Sequence, residues 1–141
     1  MTRDAIVSLI QRRIAAWNAH DVDGLASVYA ETGVVISPTG GVLEGRAEIE
    51  RINRLWFSAF PDVQFRSDDL LVDGDRVVHV AQVSGTHSGE FFGVAATGRR
   101  IEVQIVMILT VADGLIVEER RIYDFTGFLV QVGVLKAKPS V

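Results

Sequence analysis

The feature that most constrains this chain is a change of apolar period near residue 61. Before it, apolar residues recur at three- and four-residue spacing; after it, β-branched runs follow one another almost to the end. The first spacing lines one side of a helix, and the second belongs to strands. Ile6, Leu9, Ile10, Ile14 and Trp17 mark a first helix, with Asp4 placed early, where a carboxylate suits the helix dipole. Asn18-Ala19-His20-Asp21 interrupts it, and Asp21 serves as N-cap for a short second helix running to about Tyr29. Val34-Val35-Ile36-Ser37-Pro38 is a short strand ended by proline and the turn Thr39-Gly40-Gly41. A third helix runs from Arg46 to about Phe60, with Ile49, Ile52, Leu55, Trp56 and Ala59 on one side, and Pro61-Asp62 stops it.

Two Asp-Gly turns organise the second half. Asp73-Gly74-Asp75 joins a strand containing Phe65 to Arg76–Thr86, and Asp113-Gly114 joins a long strand, about Arg100–Val111, to Leu115–Asp124. Such turns between β-rich runs are strong hairpin signals. The apolar tail Phe128–Leu135 suits a short helix or a strand that covers a pocket mouth. With no repeat or linker, residues 1–141 read as a single domain. Helices first and a meander of long strands after predict an α+β fold: a curved antiparallel sheet wrapped around three N-terminal helices. A sheet curved that strongly makes a cone with an internal pocket at its wide end.

Hydrophobic residues make up 48% of the chain, yet no apolar stretch reaches the ~20 residues of a membrane span. The apolar surplus belongs in a core, a pocket or a subunit interface. A homo-oligomer, dimer or tetramer, is therefore expected, joined through long strands such as Ile101–Val111. The formal charge is −4, and the basic pairs Arg12-Arg13, Arg99-Arg100 and Arg120-Arg121 are scattered. They read as solvated faces or ion-pair partners, so neither nucleic acid nor a membrane is an expected partner. There is no cysteine, and three histidines without close spacing offer no metal site. Gly85, Gly89, Gly93 and Gly98 lack the following helix of a phosphate loop and suit bulges and sheet curvature instead. The start MTRDAIVSLIQRR carries charges within its apolar pattern, which differs from a secretory signal and favours the cytoplasm.

Asp124 is the candidate for chemistry. It sits in Ile-Tyr-Asp-Phe, with no other acidic residue after Glu119. Burial among Ile122, Tyr123 and Phe125 would raise its pKa and make it a useful general base; the plain alternative is a helix cap or a paired structural Asp. His87, in Gly-Thr-His-Ser-Gly, comes where the cone would open and is placed to donate to an enolate oxygen, or else to bond backbone. His20 reads as a structural cap and His79 as a satisfied strand residue. Trp17, Tyr29, Trp56 and Phe60 are core aromatics first, though Trp17 and Trp56 also suit the walls of a planar ligand site. Gln104, on one face of a long strand, suits a ligand carbonyl or a subunit interface. Arg46, at a helix start, reads as a tie to neighbouring backbone.

Several runs together resemble the SnoaL-like polyketide cyclases of the NTF2-like superfamily: AAWNAHDVDGLASVYAE, LEGRAEIERINRLWFSAFPD, DGDRVV, GTHSGEFFG, ATGRRIEV and DGLIVEERRIYDFTGFLVQVG. They cover most of residues 15–133. The resemblance implies a cone-shaped fold and a cofactor-free intramolecular aldol ring closure of a small hydrophobic carbonyl compound. The family aspartate of the last strand corresponds to Asp124. Positions that are polar in characterised cyclase pockets are apolar here, at Ile108 and Ile122, so the resemblance does not fix the substrate. The superfamily's ketosteroid isomerases carry an Asp before a proline and a first-helix Tyr; Ser37 and Arg13 stand at those positions here. An isomerase or hydrolase using the same carboxylate, and a non-catalytic ligand-binding protein, are the alternative readings.

Overall fold

Turn chemistry and strand alternation decide the sheet. In the computed structural model, which describes residues 1–136, six strands lie in the order β2-β1-β6-β5-β4-β3. Residues 137–141, and with them the expected end of the domain, lie outside that description. The elements are α1 (Arg3–Asn18), α2 (Val22–Ala26), β1 (Tyr29–Ser37), β2 (Gly41–Glu44), α3 (Arg46–Ala59), β3 (Gln64–Asp73), β4 (Arg76–Thr86), β5 (Arg100–Ala112), β6 (Leu115–Tyr123) and α4 (Phe125–Gln131). All neighbours are antiparallel except β1 and β6, which run parallel. Both Asp-Gly hairpins form. Gly74 lies at φ 58°, while Asp113 and Gly114 lie at φ 51° and 82°, the left-handed geometry that two-residue hairpin turns require.

The helices cover the inner face of the curved sheet, with α1 against β3 and α3 against β1. Thr2 caps α1 by accepting from the Ala5 amide at 3.1 Å, and Asp21 caps α2 by accepting from Gly24 at 3.0 Å. α1 buries Ile6, Leu9, Ile10, Arg13 and Trp17, so its helical spacing carries an arginine into the core. Arg46 donates to the Tyr29 carbonyl at 3.1 Å from Nε, the backbone tie expected of it. β5 buries alternate residues from Ile101 to Val111.

Two sequence expectations are corrected, and a third, left open between helix and strand, is resolved. The second helix ends at Ala26, because Tyr29 begins β1 and pairs with Ile116. A register shift between Tyr29 and Val34 bulges that strand, which is why its first half escaped the alternation pattern. Gly41–Glu44 forms the short edge strand β2, which its two glycine-rich flanks disguised. The tail folds as the helix α4, which packs on β5.

Candidate functional site

Alternation along β6 builds the site. Glu118, Arg120 and Ile122 face outward, while Glu119, Arg121 and Tyr123 face the inside of the cone. Arg13 reaches the same region from α1, one helical turn before Trp17. Glu119 is fully buried, and Arg13 and Arg121 are nearly so. Arg13 Nη2 donates to Glu119 Oε1 at 2.8 Å, and the Tyr29 hydroxyl donates to the same oxygen at 2.5 Å. Arg121 Nε donates to Glu119 Oε2. Arg13 further donates to Tyr29 Oη at 3.2 Å and to Met107 Sδ at 3.4 Å.

This cluster fixes its own ionisation. Burial drives the Glu119 carboxyl upward, but Arg121, then Arg13, and the Tyr29 hydroxyl outweigh it and leave the pKa at about 2. For both arginines burial opposes the charge and Glu119 restores it, with a raised pKa as the outcome. Burial raises Tyr29. His79 sits buried on β4, with Nε2 2.8 Å from Ser67 Oγ; burial, then Arg13, lower it to about 4, so it is neutral at pH 7. Buried ion pairs of this kind contribute little net stability, because desolvation cancels most of the attraction. Their company in one cone is therefore a functional signal.

Above the cluster lies a small, largely apolar pocket with a cavity volume of about 40 Å³, part of it open to solvent. Its buried side includes Arg13, Trp17, Phe65, Met107 and Arg121; Ser37, Trp56, Val83 and Tyr123 are half-buried. Trp17 and Phe65 stack at 6.0 Å with planes 22° apart. Tyr123 is raised to about 12 by burial, and its hydroxyl is bonded to Thr39 Oγ1 on the β1–β2 turn. Two donors of the lining residues, Arg121 Nη2 and Trp17 Nε1, have no hydrogen-bond partner among the described residues. Among the described residues no carboxylate lines the pocket, and no group of three His, Asp or Glu side chains is disposed to hold a metal.

Of the residues expected at the site, Trp17 and Trp56 line this pocket. Tyr29 lies beneath it in the charged cluster, and Phe60 lies behind Trp56 at 5.5 Å between ring centres. Gln104, Ile108 and Ile122 are corrected: they point to the outer face, because they alternate with the inward Val103, Ile105, Met107, Arg121 and Tyr123. Ile122 is 48% exposed.

Asp124 is not held among apolar neighbours. It is exposed at the end of β6 and caps α4, accepting from the Gly127 amide at 2.8 Å. Gly127 makes room for it: a Cβ there would fall 2.3 Å from Asp124 Oδ2. Asp124-Phe-Thr-Gly127 thus repeats the cap geometry of Asp21-Val-Asp-Gly24, where the corresponding distance is also 2.3 Å. His87 is fully buried but does not line the pocket. Its Nδ1 lies 2.9 Å from Thr97 Oγ1 and its ring stacks on Phe60 at 5.4 Å, so aromatic packing holds it behind the pocket wall. His20 bonds the Val63 carbonyl at 2.8 Å, as a structural residue does.

Sequence reasoning missed Glu119, Arg121, Tyr123 and the burial of Arg13. The signal was present. Glu119-Arg120-Arg121-Ile122-Tyr123, read at period two, puts opposite charges and a phenol on one face.

The SnoaL-like polyketide cyclase family model matches residues 8–132. Among solved structures, AclR of Streptomyces galilaeus, a candidate hydroxylase, is 29% identical with a TM-score of 0.86, covering 99% of this chain and 87% of its own. A candidate SnoaL-like polyketide cyclase from Jannaschia is 26% identical with a TM-score of 0.85, covering 96% and 94%. IdmH of Streptomyces antibioticus, a candidate polyketide cyclase, is 29% identical with a TM-score of 0.77, covering 90% and 97%. More distant structures share the NTF2-like, ketosteroid-isomerase-like fold alone. No curated protein matches the chain at a significant level. With its four helices packed on one curved six-stranded sheet, and the family pattern running through all but the chain ends, this protein belongs to the SnoaL-like polyketide cyclase family.

Proposed function

We propose that the protein is a cofactor-independent enzyme that closes a ring in a small, apolar, carbonyl-bearing molecule by intramolecular aldol condensation. One observation carries this reading: Arg121, whose Nη2 has no hydrogen-bond partner among the described residues, is a lining residue of a pocket walled by aromatic and aliphatic side chains. A donor fixed in a water-poor site stabilises the oxyanion that develops when a carbonyl becomes an enolate. The aromatic walls fold the chain so that the enolate carbon meets a second carbonyl carbon. The new carbon–carbon bond leaves an alkoxide, which recovers the proton taken at the start.

Asp124, directly after the pocket-lining Tyr123, is our candidate for accepting that proton. Protons between two carbonyls are acidic enough for a carboxylate to take. Asp124→Asn tests the role cleanly, since Asn caps a helix as well as Asp does. Turnover of a linear 1,3-dicarbonyl ester, followed by loss of its enol absorbance and by product mass, should fall about 100-fold or more. Full activity in the variant removes Asp124 from the chemistry.

A second reading, ligand binding without turnover, is favoured by a separate observation. The carboxylate beneath the pocket, Glu119, is spent on two arginines and a tyrosine, and Asp124 is spent on a helix cap. Saturable binding of dicarbonyl compounds that emerge unchanged would support it.

A further inference from the structure

In its closed form the pocket is too small for the molecule proposed to enter it. A cavity of about 40 Å³ has room for about three waters, whereas sites that enclose small organic ligands measure ~300–1,000 Å³. Entry of a ligand therefore needs one wall to move, and the lining residues differ in their freedom to do so. Phe65, Val83 and Val103 sit opposite one another across β3, β4 and β5, where strand pairing fixes the backbone. Arg13 is pinned to Glu119 at 2.8 Å. Trp56 is wedged against Phe91, Phe60 and Phe128 at 4.6, 5.5 and 5.8 Å between ring centres. What is left is the rim where β1 and β6 end.

That rim is loosely tied. β1 pairs with β6 as far as Ile36, opposite Arg120, so from Ser37 onward the β1–β2 hairpin overhangs its neighbour. The turn Pro38-Thr39-Gly40 leads into Gly41 at φ 67°, where a Cβ would meet nothing within 4 Å; the tip stands clear of the body. Among the described residues, the one hydrogen bond from Pro38–Gly40 to another element joins Thr39 Oγ1 to the Tyr123 hydroxyl. Tyr123 ends β6, half-buried on the pocket lining, with its ring edge-on to Trp56 at 6.5 Å. Its backbone pairs with Ile105, so any movement falls to the side chain.

We infer that Tyr123 is the gate of the pocket and Thr39 its latch: while the two hydroxyls are bonded the cavity is shut, and when they part the phenol swings out past the overhanging turn and admits the ligand. This rests on the pocket being the ligand site, as proposed above, and adds how that site opens. A bond between two hydroxyls suits a latch, because water replaces each half at little net cost. The open form is then a minor conformation that a ligand selects.

The chain's two tryptophans both line the pocket, so their fluorescence reports on it. A Trp56→Phe background leaves the buried Trp17 as the sole emitter. Acrylamide, a neutral quencher, reaches Trp17 faster the more often the gate is open. Thr39→Val and Tyr123→Phe each remove one hydroxyl and keep the shape. Each should raise the Trp17 quenching rate about 5-fold, the equivalent of one neutral hydrogen bond at about 1 kcal/mol. The double variant should be no faster than either, since the same bond is lost in all three. Thr86→Val, which breaks a 2.7 Å bond to Asp62 between residues outside the pocket lining, should leave quenching at the parent rate. If the Trp56→Phe background does not fold, the shielded part of the two-tryptophan emission reads the same comparison. Unchanged quenching in both single variants overturns the gate, even where the wild type turns over the dicarbonyl ester. An equal rise in Thr86→Val assigns the change to general loosening and overturns it too. Additive effects in the double variant overturn the pairing of Thr39 with Tyr123. A gate that responds as expected in a protein that neither binds nor turns over the ester stands, and the enzyme reading falls.

Discussion

Glu119 and Asp124 lie on one short run of chain and have opposite fates. Glu119 points inward from β6, is fully buried, and is ionised against two arginines that its own charge keeps in place. Asp124 lies one step beyond the strand, is exposed, and turns its oxygen to the Gly127 amide in the first turn of α4. The apolar company of Asp124 in sequence says nothing about its company in space. What decides burial is the parity of the strand and whether a helix starts next. Glu119 is surrounded in sequence by charges, and it is the one in the interior.

The largest effect that sharpens this contrast is expected from Glu119→Gln. It leaves Arg13 and Arg121 facing each other without a counter-charge, and breaking a buried pair in this way costs about 3–5 kcal/mol. Chemical denaturation should show that loss, or no folded protein at all; a variant as stable as wild type would mean the cluster is hydrated rather than buried.

Acid should act on the interior in two steps. His79 has a folded pKa of about 4 against 6.5 for the free side chain, so the unfolded chain binds the extra proton. Stability present above pH 6.5 is then lost as pH falls toward 4, at up to about 1.4 kcal/mol per pH unit. Glu119, with a pKa of about 2 against 4.5, adds its loss below pH 4.5 as pH falls toward 2. His79→Gln should flatten the upper step and spare the lower one, as measured by denaturation at a series of pH values.

At the rim the effects are smaller. Asp124→Ala should lose the α4 cap at about 1 kcal/mol, while Asp124→Asn should remain within a few tenths of wild type. If instead the Asn variant is destabilised as much as the Ala variant, the carboxylate has a partner other than the helix amides. On the outer sheet face, Gln104→Ala should change stability by no more than about 0.5 kcal/mol. Turnover of the dicarbonyl ester by that variant should stay unchanged, and a marked loss would put the ligand on the outer face.

Much of the fold was legible in the sequence. The helical spacing of Ile6, Leu9, Ile10 and Trp17, the N-cap Asp21 and the two Asp-Gly hairpins are local signals, and each forms as read. The site was harder. The aromatic walls Trp17 and Trp56 were within reach because large rings at helical spacing face inward. Arg13, on the same side of α1, passed as half of a solvated basic pair, since its countercharge comes from a strand 106 residues later. Gln104 and Ile108 were assigned to the pocket without fixing which parity of β5 faces inward. Asp124 shows the limit most clearly. Asp-x-x-Gly was read as a cap at Asp21, where a polar context invited it, and as a catalytic group at Asp124, where aromatic neighbours did not. The local geometry is the same at both.

The central claim is that Arg121, not Asp124, meets the ligand's oxygen at the heart of the pocket. A crystal structure of the protein soaked with a linear 1,3-dicarbonyl ester tests it most directly. The account predicts a carbonyl oxygen about 2.7–3.1 Å from a guanidinium nitrogen of Arg121. A ligand that lies outside the cone, with the guanidinium untouched, would contradict it.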